Sequence, residues 1–235
     1  MKSAKLYMVP NLLGEGSPKL SLAPDVLDTI RSLRYFIVEN EKYARRFLVG
    51  CGMRDILSEV EFSLLNEHTP AEEFGFLMEP VMNGISAGIL SDAGCPGIAD
   101  PGAELVNMAH LNNIEVIPLT GPSSILLALI GSGLNGQQFA FRGYLPVKPA
   151  QRIRRIRELE QFSGKSRETQ LFIEAPYRNN QVLSDLLKVL SPDTRLCLAV
   201  NLTQPDQLIK TMDVKSWKNN KPELNKKPTV FLFLA

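Results

Sequence analysis

Short apolar segments alternate with amphipathic segments along most of the chain, and this alternation is the feature that most restricts the fold. Residues 5–10 (KLYMVP) and 34–40 (RYFIVEN) have the length and composition of strands. Between them, residues 23–33 place Val26 and Ile30 on one face at helical spacing. Because parallel strands need long crossover connections that are usually helices, the pattern predicts an α/β fold with a largely parallel sheet.

The alternation changes character in the middle of the chain. An apolar segment, SSILLALIGSGL, and a basic segment over residues 148–167 follow the fourth predicted strand, and alternation then resumes. A chain of 235 residues is long enough for two small domains. We therefore predict a boundary near residues 118–122, with one α/β domain over residues 1–118 and a second over residues 119–235.

Composition excludes several classes of protein. The net charge of +1 argues against a surface that is basic overall, although a local basic face stays possible. Three cysteines without a CxxC pair predict no metal site. No apolar run reaches the roughly 18 residues of a membrane span, and the first residues lack the apolar core of a signal peptide. We therefore expect a cytoplasmic protein.

Four loops rich in glycine or proline follow predicted strands. They are VPNLLGEG (9–16), SDAGCPG (91–97), LTGPSS (119–124) and IEAPYR (173–178). In open α/β sheets, ligands bind beyond the carboxyl ends of the strands. Glycine lets backbone approach a ligand closely, and proline fixes the shape of a loop before binding. The first loop is not GxGxxG, and the chain contains no GxxxxGK[ST], so the loops predict a ligand site of another type.

The loops together are more specific than any one of them. SDAGCPGIADPG (91–102), with LYMVP near the N-terminus, TGPSS (120–124) and FRGYLP (141–146), resembles the tetrapyrrole-methylase superfamily of S-adenosylmethionine-dependent methyltransferases. Within it, the chain is most similar to the ribosomal RNA small-subunit methyltransferase I group, which methylates a ribose 2′-hydroxyl. The resemblance extends over nearly the whole chain and implies two α/β domains, a cofactor cleft between them and a homodimer.

The resemblance also implies which positions contact S-adenosylmethionine, largely through backbone groups and a few hydroxyls. By position in the motifs, these residues are Pro10, Ala93, Gly94, Cys95, Ile98, Ser123, Ser124, Glu174, Leu202, Pro228 and Thr229.

The reaction needs alignment of the acceptor oxygen and a base for the hydroxyl proton. Glu39, Asp92, Asp100 and Glu174 are the candidate bases, and we choose Asp100 or Asp92. Both aspartates also suit a turn-stabilising role, so that alternative stays open.

The chain departs from the family pattern on the acceptor side. Asn40 and Asn201 stand where the family has carboxylates. RNA is the partner that the resemblance implies. Because of these departures, two alternatives stay open: a small tetrapyrrole-like acceptor, or a module that binds the cofactor or RNA without turnover.

Two groups of side chains bear on RNA binding. In QRIRRIRELE the arginines are either a phosphate-binding ridge, which includes Arg152 and Arg155, or a solvated face paired with glutamates. Among the aromatic residues that could stack on a base, most, including Tyr43, are expected in the core, whereas Tyr144 and Tyr177 lie in loop motifs.

Overall fold

The computed structural model describes residues 4–66 and 68–235 and consists of two compact units. The first extends to Ser123 and the second begins at Ser124. The boundary predicted after residue 118 falls at the end of a strand, and the division between the units falls in the loop that follows it.

The first unit contains a parallel sheet of the strand order β3-β2-β4-β1-β5. Its strands are β1 (Lys5–Val9), β2 (Tyr35–Val38), β3 (Glu61–Leu64), β4 (Ala87–Leu90) and β5 (Glu115–Pro118). The helices are α1 (Pro18–Ser21), α2 (Pro24–Ser32), α3 (Glu41–Gly50), α4 (Phe74–Met82) and α5 (Ala103–Leu111), with 3-10 turns at Arg54–Glu59 and Ala71–Glu73.

Apolar side chains of this sheet are buried on both faces, as expected for a parallel sheet. All four residues of β2 and all four of β4 are buried, which explains why these strands read as continuous apolar runs. Helices α2 and α3 pack on one face through residues such as Ile30 and Leu48. Helices α4 and α5 pack on the other, through residues such as Met78 and Leu105.

Helix α3 begins at a side-chain cap. The side chain of Asn40 accepts hydrogen bonds from the backbone N–H groups of Lys42 and Tyr43 at 3.0 and 3.3 Å. Asparagine and aspartate are equivalent at this position of a helix. The asparagine that departs from the family pattern therefore keeps a structural function.

The second unit contains a mixed sheet of the order β6-β7-β10-β8-β9. Its elements are α6 (Ser124–Ser132), β6 (Phe139–Tyr144), α7 (Pro149–Ser166), β7 (Thr169–Ile173), a 3-10 turn (Pro176–Arg178), α8 (Asn179–Val189), β8 (Arg195–Val200), β9 (Leu208–Asp213), α9 (Val214–Asn219) and β10 (Thr229–Leu234).

The expectation of a largely parallel sheet is confirmed in the first unit and is wrong in the second. Only β6 and β7 pair in parallel there, whereas β10 is antiparallel to β7 and β8, and β9 is antiparallel to β8. The connection from β8 to β9 is too short for a parallel crossover. The sequence interpretation did not include β9.

The arginines of α7 do not form one ridge. Arg152 is fully buried, and its guanidinium contacts the carboxylate of Asp185 at 2.6 Å. It also donates to the backbone oxygens of Pro146 and Val147. Arg154, by contrast, is 83% exposed. The interpretation of Arg152 as part of a phosphate-binding surface is therefore wrong, and its function is structural.

Aromatic residues are also distributed differently from the expectation. Tyr35 is in the core, whereas Tyr43 is 53% exposed, and Tyr144 and Tyr177 are 58% and 72% exposed. The assignment of Tyr43 to the core is wrong, because the apolar face of α3 that packs on the sheet consists of Ala44, Phe47 and Leu48.

We predict that Arg152→Ala destabilises the second unit by about 3 kcal/mol, because it leaves the Asp185 carboxylate without its buried partner. The emission of Trp217, the only tryptophan of the chain and a buried residue of this unit, measures unfolding in urea. Arg154→Ala on the same helix is the control, with an expected change below about 0.5 kcal/mol. Equal unfolding midpoints for the two variants would contradict this assignment.

Candidate functional site

The candidate site of the first unit lies at the carboxyl edge of its sheet. Because all five strands are parallel, the loops after β1, β2, β4 and β5 meet at this edge. They contain the segments that the sequence analysis selected in this unit. Three interactions determine how these loops are held together.

The first interaction is made by Asn11, which is buried directly after β1. Its backbone N–H donates to the oxygen of Gly94 at 2.8 Å. Its side-chain amide donates to the backbone oxygens of Ser91 and Asp92 at 2.9 and 3.1 Å, and its side-chain oxygen accepts from the N–H of Leu12. One side chain therefore ties the first loop to the loop after β4. Sequence reasoning passed over Asn11, although asparagine after a strand is a turn signal.

The second interaction is the close approach of Gly121 to Pro10. A Cβ atom on Gly121 would lie 2.2 Å from the Cβ of Pro10, so only glycine fits here. Nearby, the thiol of Cys95 lies 3.5 Å from the oxygen of Pro122. The loop after β5 thus packs on both of the other glycine-containing loops.

The third interaction joins three carboxylates. The backbone N–H of Asp92 donates to Oε2 of Glu39 at 3.2 Å. Partial burial, and then the charge of Glu39, raise the pKa of Asp92 from 3.8 to about 6. For Asp100, burial and the charges of Glu39 and Asp92 raise the pKa to about 6, against a hydrogen bond with Ser91 that lowers it. Such groups accept protons effectively near neutral pH, and their titrations are coupled.

These carboxylates do not form a metal centre. Within residues 4–66 and 68–235, no group of three or more histidine, cysteine or acidic side chains is arranged to hold a metal ion. The loop after β4 instead contains two glycines, Gly94 and Gly97, in the left-handed region at φ of 71° and 79°. Ala99 also has a positive φ of 63°, a conformation that costs energy for a residue with a Cβ.

The structure brings most of the first-unit predictions together. Pro10, Ala93, Gly94 and Cys95 belong to loops that contact one another through the three interactions. Ile98 follows in the same loop as Gly94 and is 49% exposed. Ser123 is buried at the end of the unit.

The remaining predictions lie in the second unit, most of them at one edge of its sheet. The end of β7 pairs with the start of β10, and the end of β8 pairs with the same residue range. This arrangement places Glu174, Leu202, Pro228 and Thr229 near that edge, where the N–H of Asn201 donates to the oxygen of Pro228 at 2.9 Å. Ser124 is the first residue of α6.

Glu174 differs from the other candidate bases because it is already paired. Its carboxylate is buried and lies 3.0 Å from the guanidinium of Arg178. This ion pair holds the carboxylate within the protein, so Glu174 is not the base that we choose. Sequence reasoning had not paired Arg178 with it, although the spacing of four residues in IEAPYR was a signal.

A cavity of about 540 Å³ opens beside the first-unit edge. The loop after β1 lines one side of it, and α3 lines the other. Asp92 and Ala93 also line it, so the cavity adjoins the loop that contains the proposed cofactor contacts.

Comparisons with known proteins agree on one family. The model for tetrapyrrole (corrin/porphyrin) methylases matches residues 13–217. A ribosomal RNA small subunit methyltransferase I of Vibrio cholerae is 31% identical over 207 residues, which are 88% of this chain and 68% of that protein. A protein of the same name from Pseudomonas aeruginosa is 28% identical over 212 residues, with 90% and 71% covered.

Solved structures give a likeness of fold. The crystal structure of the methyltransferase CobJ matches with a TM-score of 0.66 at 15% sequence identity, over 99% of this chain and 95% of that one. In the part of the chain that the structure describes, no helix is long and apolar enough to cross a membrane.

We predict that the carboxylates at this edge make stability depend on pH. The pKa of Asp100 is about 6 in the folded state and 3.8 ordinarily, so the folded state binds the proton more tightly. The contribution of this group to stability is then greatest below about pH 4 and is lost as the pH rises through about 6. Asp100→Asn should raise the melting temperature by about 2–4 °C at pH 8, which corresponds to about 1 kcal/mol, and change it little at pH 4.

Thermal unfolding followed by circular dichroism at the two pH values measures this difference. Glu79→Gln, an exposed position on α4, is the control for loss of one negative charge. A gain that is the same at pH 4 and pH 8 would show that burial of the charge is not its cause.

Proposed function

The chain belongs to the tetrapyrrole (corrin/porphyrin) methylase family and is an S-adenosylmethionine-dependent methyltransferase, and from this premise we propose that it methylates a ribose 2′-hydroxyl of small-subunit ribosomal RNA. Two relatives named ribosomal RNA small subunit methyltransferase I support RNA as the acceptor. The observation on which the proposal mainly depends is the pair Asp92 and Asp100, whose raised pKa values provide a proton acceptor beside the glycine-rich loop.

The methyl donor is proposed to bind along the loops after β1, β4 and β5. Gly94 and Gly97 let the loop after β4 turn, and Ala93 and Ile98 of this loop are exposed, which suits a ligand with both charged and apolar parts. In this proposal the first unit contributes Pro10, Ala93, Gly94, Cys95, Ile98 and Ser123, and the second contributes Ser124, Glu174, Leu202, Pro228 and Thr229. When bound, S-adenosylmethionine supplies an activated methyl group, so the protein needs no metal.

The side chains of this chain then have two tasks, to orient the hydroxyl and to accept its proton. Asp92 lines the cavity next to the loop, so we assign it as the proton acceptor. Asp100 is less exposed, and the charge of Asp92 is among the causes of its raised pKa, so Asp100 is the second candidate for the base. At neutral pH, a carboxylate with a pKa of about 6 is mostly ionised and can take the proton as the oxygen loses it.

Assembly is part of the proposal. Leu126 and Ile130 are one helical turn apart on α6, and they are 51% and 79% exposed. An exposed apolar pair of this kind favours a homodimer in which a second copy covers it.

We also propose that the domains are residues 1–118 and 119–235 and that the protein acts in the cytoplasm on ribosomal subunits.

The proposal is tested by transfer of a labelled methyl group to small ribosomal subunits. Subunits from cells that lack this protein should accept label on a ribose oxygen, and subunits from cells that contain it should not. Label on a tetrapyrrole instead of RNA would identify the small-acceptor alternative. Binding of S-adenosylmethionine without any labelled RNA or tetrapyrrole would identify a non-catalytic protein.

We predict that Asp92→Asn lowers kcat for methyl transfer by about 100-fold, because it removes the proton acceptor. The Kd for S-adenosylmethionine should change little. In the wild type, kcat should rise with pH through about 6, as the carboxylate ionises, and then level off. Glu79→Gln should behave like the wild type. Unchanged kcat in Asp92→Asn would rule out this residue as the base.

We predict that Gly121→Ala weakens binding of S-adenosylmethionine about tenfold or more. The added Cβ would lie 2.2 Å from Pro10, so the loops after β1 and β5 must separate. Isothermal titration calorimetry measures the affinity. Gly75→Ala is the matched control in the same unit, since a Cβ there meets nothing within 4 Å. If both variants bind as tightly as the wild type, the loop spacing does not determine cofactor affinity.

A further inference from the structure

The cavity beside the first-unit edge has features that the methyl donor does not explain. Its volume of about 540 Å³ is in the range of small-ligand sites, about 300–1,000 Å³. Its lining includes Asp92 and Ala93 but not Cys95, Ile98 or Ser123. It therefore shares the loop after β1, Asp92 and Ala93 with the segments proposed to bind the donor, and it extends from them towards α3.

Helix α3 presents two unusual side chains to this cavity. Tyr43 and Arg46 both line it, and their spacing of three residues places them on one side of the helix. Tyr43 is 53% exposed and Arg46 is exposed, so neither contributes to the core. The opposite function, packing against the sheet, is performed by Ala44, Phe47 and Leu48, which are buried.

The two neighbouring arginines of α3, Arg45 and Arg46, differ in their partners within the protein. Arg45 is engaged within the protein: it pairs with Glu41 at 2.7 Å and lies over the ring of Phe62 at 4.5 Å. Arg46 has no ion pair with the described residues of the chain. Its guanidinium is free to bind a ligand at the cavity.

An exposed tyrosine beside an unpaired arginine suits a nucleotide. Aromatic rings stack on unpaired bases in single-stranded RNA, and guanidinium groups bind phosphate oxygens. We infer that this cavity receives the acceptor nucleotide, with Tyr43 stacked on its base and Arg46 bound to its phosphate. The inference rests on the proposed RNA methylation, and it places the ribose of that nucleotide at the border formed by Asp92 and Ala93.

The charges of the cavity also favour a nucleotide over a tetrapyrrole. Arg46 is the one cation among the described residues that line it, and Glu15 and Asp92 are acidic. A macrocycle with several carboxylates would need several cations. A nucleotide within a strand presents one phosphate on each side and a neutral ribose hydroxyl, which matches one arginine and one nearby carboxylate.

Direct binding of ribonucleoside 5′-monophosphates tests the inference without relying on turnover. We expect the wild type to bind them in the millimolar range, as measured by NMR titration of the labelled protein. Tyr43→Ala should weaken binding about tenfold, and Tyr43→Phe, which keeps the ring, should not. Arg46→Ala should weaken binding of the monophosphates severalfold, but not of the corresponding nucleosides, which lack the phosphate.

Two further measurements complete the test. Arg54→Ala, an exposed arginine of the same unit, is the matched control and should bind like the wild type. The Kd for S-adenosylmethionine should stay within about twofold in Tyr43→Ala and Arg46→Ala. No binding by the wild type, equal binding by all variants, or a loss of cofactor affinity in Arg46→Ala would each overturn the inference.

Methyl transfer separates this inference from the proposed function. With small ribosomal subunits as acceptor, both alanine variants should raise KM about tenfold and leave kcat nearly unchanged. If the wild type methylates subunits and the variants keep its KM, the cavity assignment fails while the proposed function stands. If the monophosphates bind as expected but no RNA is methylated, the cavity is a nucleotide site, but its assignment to the acceptor fails together with the proposed function.

Discussion

The geometry of the first-unit edge depends on the hydrogen bonds of one buried side chain. Asn11 joins the loop after β1 to the loop after β4 through bonds to Ser91, Asp92 and Gly94. A buried hydrogen bond contributes about 1 kcal/mol, but a buried amide left without partners costs more. Separation of the two loops therefore costs free energy. Because Asp92 lies on one of them and the cavity is lined by both, the position of Asp92, the proposed base, and the shape of the cavity follow from the same interaction.

Holding carboxylates together at this edge works against stability. Glu39, Asp92 and Asp100 repel one another, and partial burial adds to the cost of their charges. A chain selected for stability alone would have no reason to collect them beside a loop that contains a residue such as Ala99 at positive φ. Strain and like charges are tolerated where chemistry requires them, and they coincide here with the glycine-rich segment.

Periodicity and loop composition predicted four of the five strands of the first unit but not β3, whose residues are half-buried or exposed. The location of the site stays a prediction. The fully buried strands β2 and β4 are continuous apolar runs, and the glycine-rich loop follows β4, so this part of the geometry can be predicted from the sequence pattern. The second unit was harder to predict from the sequence, because β9 has only half-buried and exposed residues and contains no apolar run. Burial of Arg152 against Asp185 could not be read from the sequence either, since the partners are distant in the chain and local charge spacing predicts a solvated face.

The departures of this chain from its family pattern have different physical meanings. Asn40 replaces a carboxylate but still caps α3, so the helix begins as before. The buried face of α3 is likewise occupied by Phe47 and Leu48, which hold it on the sheet. The residues on the exposed side of α3, where Tyr43 and Arg46 lie, can vary without loss of core packing. A helix that is fixed at its cap and its core face, and free at its exposed face, allows acceptor recognition to change while the adjoining donor loop keeps its geometry.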